Sequence, residues 1–231
     1  MTIQYCLPSG GLTRRRALAI AGAGLATAFV RPANAQWPSL LPLSNPNVSS
    51  DPARIYLLRG LFGIFSTGMD SLSGKLSAQG YNPNLLSWTD ASVVVDQITT
   101  ARRGGDDKPI ILIGHSLGSN AVAGIAQQLG QQNIPVDLVV TFDVTEPMRA
   151  SANVRTFINF FQYNGFGRPV SAGPGFTGEL QNIDLSADKN ISHGNIDEAA
   201  LLQQVVTERI FSITNRQMQT AATQQRNRVR R

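Results

Sequence analysis

The stretch Lys108–Leu129, KPIILIGHSLGSNAVAGIAQQL, changes its periodicity once and sharply. PIILIG (109–114) is a continuous apolar run, the pattern of a strand buried on both faces of a parallel sheet. GSNAVAGIAQQLGQQ (118–132) has the spacing of a helix. Between them the chain must reverse within very few residues, and it does so at Ser116, flanked at one residue's remove by Gly114 and Gly118. Side chains at those two positions would meet neighbouring backbone, so the spacing predicts a tight strand-to-helix corner that only glycine permits. Such a corner forces the serine into a strained conformation and holds its hydroxyl out of the turn. The helix N-terminus that follows directs backbone N–H groups and positive dipole at the same point. The amide of Leu117 is then placed to donate to an oxyanion.

The same alternation continues outward. RIYLLRG (54–60), NLLSW (84–88), VDLVVTFD (136–143), VRTFINFFQ (154–162) and GELQNIDL (178–185) read as further strands, the last at an edge. MDSLSGKLSAQG (69–80), ASVVVDQITTARRGG (91–105) and NIDEAALLQQVVTERIFSIT (195–214) read as helices. Asp90 is the expected N-cap of the second, and Asp197 and Glu198 are expected in the first turn of the last, where acids favour the helix dipole. Strand–helix alternation predicts an α/β fold with a central, mostly parallel sheet of about six strands flanked by helices. The domain is expected over 54–215, with a Pro-, Ser- and Asn-rich leader before it (36–53) and a frayed, basic, polar tail after it (216–231). NGFGRPVSAGPGFTG (164–178) is Gly- and Pro-rich and is expected as a rim or lid loop.

Charge is unevenly placed. The 231-residue chain sums to +5, but residues 1–35 hold Arg14, Arg15, Arg16 and Arg31 and no acid, and Arg216, Arg226, Arg228, Arg230 and Arg231 crowd the last stretch. The body between is mildly acidic, which argues against nucleic acid as a partner. The tail leaves room for a weak contact with an anionic surface. TRRR, the apolar run ALAIAGAGLATAFV and RPANA compose an export signal, with cleavage expected after Ala35. TRRRALA resembles the bacterial twin-arginine signal, departing from it at Ala17 and Ala19, so a periplasmic or extracellular location is expected. The single cysteine, Cys6, lies in that segment, so the mature chain has no thiolate for a metal site or a nucleophile. With two histidines in the whole chain, no metal and no cofactor are expected.

A serine hydroxyl needs a base. His115 adjoins Ser116 on the wrong side of the corner to take its proton, which leaves His193, in the loop NISHGNIDEAA before the last helix. The base in turn needs an orienting carboxylate. Asp143 ends the strand after the corner, and acids at the C-terminal ends of parallel strands face the ligand side of a sheet. Glu146, Asp184 and Asp188 are the alternatives, less favoured by that position.

The chain order Ser116, Asp143, His193 is that of the α/β-hydrolase fold, and GHSLG at a strand–helix corner is the form its nucleophile elbow takes. Residues 54–215 resemble a small α/β-hydrolase without a large cap domain, of the lipase, cutinase or thioesterase kind. The resemblance implies Ser116 as nucleophile, His193 as base and Asp143 as acid. RGLFG (59–63) is similar to the HGLFG-type turn of lipases, with Arg59 in place of histidine, which implies the amide of Leu61, or else Phe62, as a second oxyanion donor. Phe62, Ile64 and Phe65 are expected either to line an acyl pocket or to pack on the sheet. The expected activity is hydrolysis of carboxylic esters, small or lipidic. The alternatives are acyl transfer by the same three residues, or binding of an acyl ligand without chemistry.

Overall fold

β3 (Ile110–His115) lies in the interior of the sheet, and all six of its residues are buried. The computed structural model describes residues 51–61 and 67–229. The expected export signal, most of the leader, Cys6, the residues Phe62, Gly63, Ile64 and Phe65, and Arg230 and Arg231 lie outside the described residues.

The remaining elements, in chain order, are β1 (Arg54–Arg59), α1 (Thr67–Ala78), β2 (Asn84–Ser87), α2 (Ala91–Arg103), α3 (Leu117–Gln131), β4 (Leu138–Phe142), β5 (Arg149–Ala150), β6 (Thr156–Phe161), β7 (Ser171–Ala172), β8 (Glu179–Asp184) and α4 (Ala200–Val229). Six strands pair in the order β2-β1-β3-β4-β6-β8, every pair parallel. The architecture is α/β, a six-stranded parallel sheet flanked by helices. β5 and β7 form a separate two-stranded ribbon; their pairing puts part of the 164–178 loop into a strand.

Residue alternation along the central strands explains the layers. Tyr56, Leu58 and Leu112 pack on one face with Val94 and Ile98 of α2 and Val122, Ile125 and Leu129 of α3. Ile55, Leu57, Ile111, Ile113, Val140 and Phe160 pack on the other with Leu72 and Leu76 of α1 and Val206 and Ile210 of α4. Strands that bury both faces are apolar at most positions, and the polar residues that do enter are hydrogen-bonded, as Thr141 of β4 is to Asn159 of β6 at 2.8 Å. The edge strand β8 is only half-buried and carries Glu179, Gln181 and Asn182.

Three local expectations are corrected. Asp90 does not cap α2 with its side chain; its carboxylate accepts the Ser87 N–H at 3.0 Å, completing a capping box around a short 3-10 turn, Trp88–Asp90, that leads into α2. α4 begins at Ala200, so Asp197 and Glu198 precede it in a 3-10 turn (Ile196–Glu198), and Asp197 is turned inward and fully buried. The residues after 215 are not frayed: α4 continues to Val229 as a 30-residue helix. Neither Gly nor Pro occurs after Gly194, and Ala, Gln, Arg and Met favour the helix, so nothing in that polar segment stops it. Its exposure reflects the absence of an apolar face, and Gln217 ties it to the domain by donating to the Asp107 carbonyl at 2.9 Å.

Candidate active site

The corner between β3 and α3 is as tight as its sequence implies. Ser116 adopts φ 56° and ψ −122°, a region that L-residues rarely occupy. A Cβ on Gly114 would lie 2.2 Å from the Gly118 carbonyl oxygen, and a Cβ on Gly118 would lie 2.0 Å from that of Leu58. Both obstacles are backbone and cannot rotate away, so the strand-to-helix reversal excludes any other residue at either site. The Ser116 N–H donates to the Phe142 carbonyl at 2.9 Å, which fixes the corner against the end of β4. Ser119, buried one turn into α3, places its hydroxyl 2.7 Å from the Gly114 carbonyl and accepts the Phe142 N–H at 3.1 Å.

Asp143 directly follows β4, and there the backbone again departs from the ordinary, with φ 59°. Its N–H donates to the Phe160 carbonyl at 2.8 Å, and its Oδ1 accepts the Gln162 N–H at 2.9 Å. The other oxygen, Oδ2, lies 2.9 Å from Nδ1 of His193. On the far side of the ring, Nε2 lies 2.9 Å from Ser116 Oγ. A carboxylate only accepts, so Nδ1 carries the proton and Nε2 is left to accept from the hydroxyl. Asp143 is fully buried while His193 is 27% exposed, so the carboxylate is sealed and the imidazole meets solvent. Glu146 lies exposed, and Asp184 and Asp188 are turned to local turns, accepting the N–H groups of Ser186 and Asn190 at 2.9 Å. Of the four candidate acids, Asp143 alone bonds His193.

Several residues that build this arrangement carried no signal in the sequence. The Gln162 amide donates to the Ile191 carbonyl at 2.6 Å, so one residue holds both Asp143 and the loop that carries His193. Asn195 closes the other side of that loop, accepting from Ser192 N–H at 2.6 Å and donating to the Asn190 carbonyl at 2.9 Å. From the 164–178 loop, Phe166 sets its ring 4.9 Å from that of His193 while remaining 67% exposed. The loop therefore meets the base directly and contributes an apolar rim. A Cβ on Gly167 would fall 2.0 Å from Asp143 Oδ1 and 2.8 Å from the Gln162 nitrogen. Gly167→Ala is therefore expected to displace the carboxylate and lower kcat by about 100-fold, since misplacement of a catalytic group by about 1 Å has that effect. Steady-state kinetics beside a thermal melt checks that the loss is one of geometry.

Leu117 opens α3, where the first amides have no partner within the helix. Leu61 lies 47% exposed in the turn after β1, the strand paired with β3. Phe62, the alternative donor, lies outside the described residues. The two elements that carry Leu61 and Leu117 are thus neighbours at the C-terminal edge of the sheet, the edge that carries Ser116.

His115 is buried and does not reach the Ser116 hydroxyl's partner position; its Nε2 lies 2.7 Å from the His193 carbonyl oxygen. Because that oxygen only accepts, Nε2 is protonated. Nδ1 lies 3.8 Å from Asp197 Oδ2, which itself accepts the Met69 N–H at 3.1 Å. Burial, above all, holds His115 below the usual imidazole range. Burial also pushes the Asp197 carboxyl up from 3.8 to about 7, and its Oδ1 has no hydrogen-bond partner among the described residues. The folded state therefore binds a proton that the unfolded chain releases near pH 4, so this group's contribution to stability is full below that pH and is lost as pH rises to about 7. Over that window stability is expected to fall as pH rises. Chemical denaturation of wild type and Asp197→Asn as a function of pH checks this, because the variant keeps an acceptor for Met69 and lacks the slope.

Comparison of the chain with protein-family models, with curated proteins and with solved structures gives no significant match. The functional reading accordingly rests on the geometry.

Proposed function

We propose that this chain is an exported serine hydrolase of the α/β-hydrolase type, cleaving carboxylic esters through an acyl-enzyme. The observation that carries this reading is the chain of contacts from Ser116 Oγ to His193 Nε2 and from His193 Nδ1 to Asp143, each 2.9 Å, with the serine on a strained corner. Ser116 Oγ attacks the ester carbonyl as its proton passes to Nε2. Asp143 holds the reacting tautomer and stabilises the imidazolium, which returns the proton to the departing alkoxide. The amides of Leu117 and Leu61 are the donors assigned to the tetrahedral oxyanion. Water, deprotonated by the same imidazole, then attacks the acyl-enzyme and frees the acid. Export is inferred from residues 1–35.

A fluorophosphonate probe tests this reading. Covalent addition at Ser116 of the folded protein, together with release of p-nitrophenol from p-nitrophenyl esters, is the expected result. An unmodified Ser116 overturns it. A chain-length series of the same esters sets the acyl preference, and product analysis with added alcohol separates hydrolysis from acyl transfer.

A further inference from the structure

We propose that His115 and Asp197 form a second, buried acid–base pair, a positioning pair that sets the placement of His193 through its main chain and makes the site respond to a single proton held behind it. The inference rests on the reading of His193 as the general base.

The geometry has three parts. First, His115 sits on β3 directly before the nucleophile and donates from Nε2 to the His193 carbonyl at 2.7 Å, with the ring centroids 5.2 Å apart. One imidazole therefore positions the residue that carries the other. Second, Asp197 lies four residues after His193 and takes the Met69 N–H in the first turns of α1, the helix that follows the Leu61 turn. The contact is close enough to require a glycine at 68, where a Cβ would lie 2.3 Å from the Asp197 carbonyl carbon. Gln203 reinforces it, donating to the carbonyls of Gly68 and Asp197 at 2.9 and 2.6 Å. The loop that carries His193 and the start of α1 are thus joined at this carboxyl, at Gln203 and at the Thr67–Glu198 contact. Third, the pair is sealed: His115 is 1% exposed and Asp197 is 0% exposed.

Few other charges reach it. Asp143 stands beyond the His193 ring, and Glu198 is exposed and accepts from the Thr67 hydroxyl. On α1, Asp70 is drawn to Arg59 at the surface. Lys75 of the same helix donates to Gln203 Oε1 at 2.6 Å and so meets the Asp197 segment through Gln203, while a charge on the His193 ring favours the carboxylate. A buried carboxylate with one oxygen unpartnered among the described residues is strongly disfavoured, so the pair holds its proton until near-neutral pH, in the direction burial imposes. When the proton leaves, a negative charge appears 3.8 Å from the ring that bonds the His193 carbonyl. That charge alters the hydrogen bond, and through it the Nε2 position facing Ser116.

The chain's two histidines make the test direct, because ring signals in nitrogen-15 NMR spectra of the whole protein belong to one or the other. The expected wild-type result is a pH-dependent displacement of the His115 ring signals that disappears in Asp197→Asn. The pH profile of kcat on a p-nitrophenyl ester loses the matching limb in that variant, with KM unmoved. His115→Ala lowers kcat by about 100-fold, and His115→Gln, whose amide nitrogen replaces the Nε2 donor, restores most of it. His115 signals that follow pH alike in the wild type and in Asp197→Asn overturn the pair, as does a His115→Gln variant that melts like the wild type yet is no better than His115→Ala. A wild type that cleaves no ester overturns the hydrolase reading alone, since the spectra still decide whether the pair exists.

Discussion

Ser116→Ala is expected to lower kcat on any accepted ester by on the order of 10⁵- to 10⁶-fold and to abolish fluorophosphonate labelling, while leaving the thermal melt nearly unchanged. The magnitude follows from the units in which such sites work. With the nucleophile gone, only binding and oxyanion donors remain, and the base has nothing to activate. The small effect on stability follows from the corner. Alanine keeps the Cβ, so the strain at φ 56° is the same, and the lost hydroxyl contact is to the partly exposed His193. Ser116→Gly extends the argument. Removing the Cβ at a positive φ relieves strain and is expected to raise stability by about 1 kcal/mol while the activity stays lost. A glycine variant no more stable than wild type would mean the corner stores no strain, and residual turnover in the alanine variant would remove Ser116 from the role of nucleophile.

Asp143→Asn is expected to lower kcat by about 10⁴-fold with the fold intact. Asparagine tolerates the left-handed backbone found here, φ 59°, and its carbonyl still accepts the Gln162 N–H. The change is therefore confined to the face toward His193. There the amide donates to Nδ1, placing the ring proton on Nε2, where it opposes the Ser116 hydroxyl instead of accepting from it. Kinetics against pH beside a melt separates this from unfolding. A loss of only a few-fold would show that His193 is oriented without Asp143.

The sequence alone carried the layer architecture and the three principal side chains, for physical reasons that particular residues display. The unbroken apolar run 109–114 is the pattern of a strand covered on both faces, and in the structure every residue of β3 is buried. Gly114 announced the corner because the close approach that requires it is local, the obstacle being Gly118 itself, whereas Gly118 is required by the Leu58 carbonyl of the neighbouring β1. With one histidine outside the motif, composition leaves His193 as the candidate base, and the structure puts its ring 2.9 Å from Ser116 Oγ. Acids, by contrast, were abundant. Strand-end position favoured Asp143, and the tertiary structure alone brought it within 2.9 Å of a histidine 50 residues away.

What remained illegible depends on contacts between distant segments. Asp197 reads in sequence as an ordinary acid at a helix start, yet it is buried because Gly68, far earlier in the chain, packs directly on its backbone. Gly167 looks like one more loop glycine until Asp143 is found against it. His115 is set aside as a base by its neighbour in the chain, and only the fold gives it the His193 carbonyl. Local pattern determines strands, helices and the strained corner, since these are set by backbone sterics and side-chain periodicity over a few residues. Which polar groups are sealed from water, and therefore which protons the site holds, was decided by the tertiary structure, because desolvation is a property of everything that surrounds a group and not of its place in the chain.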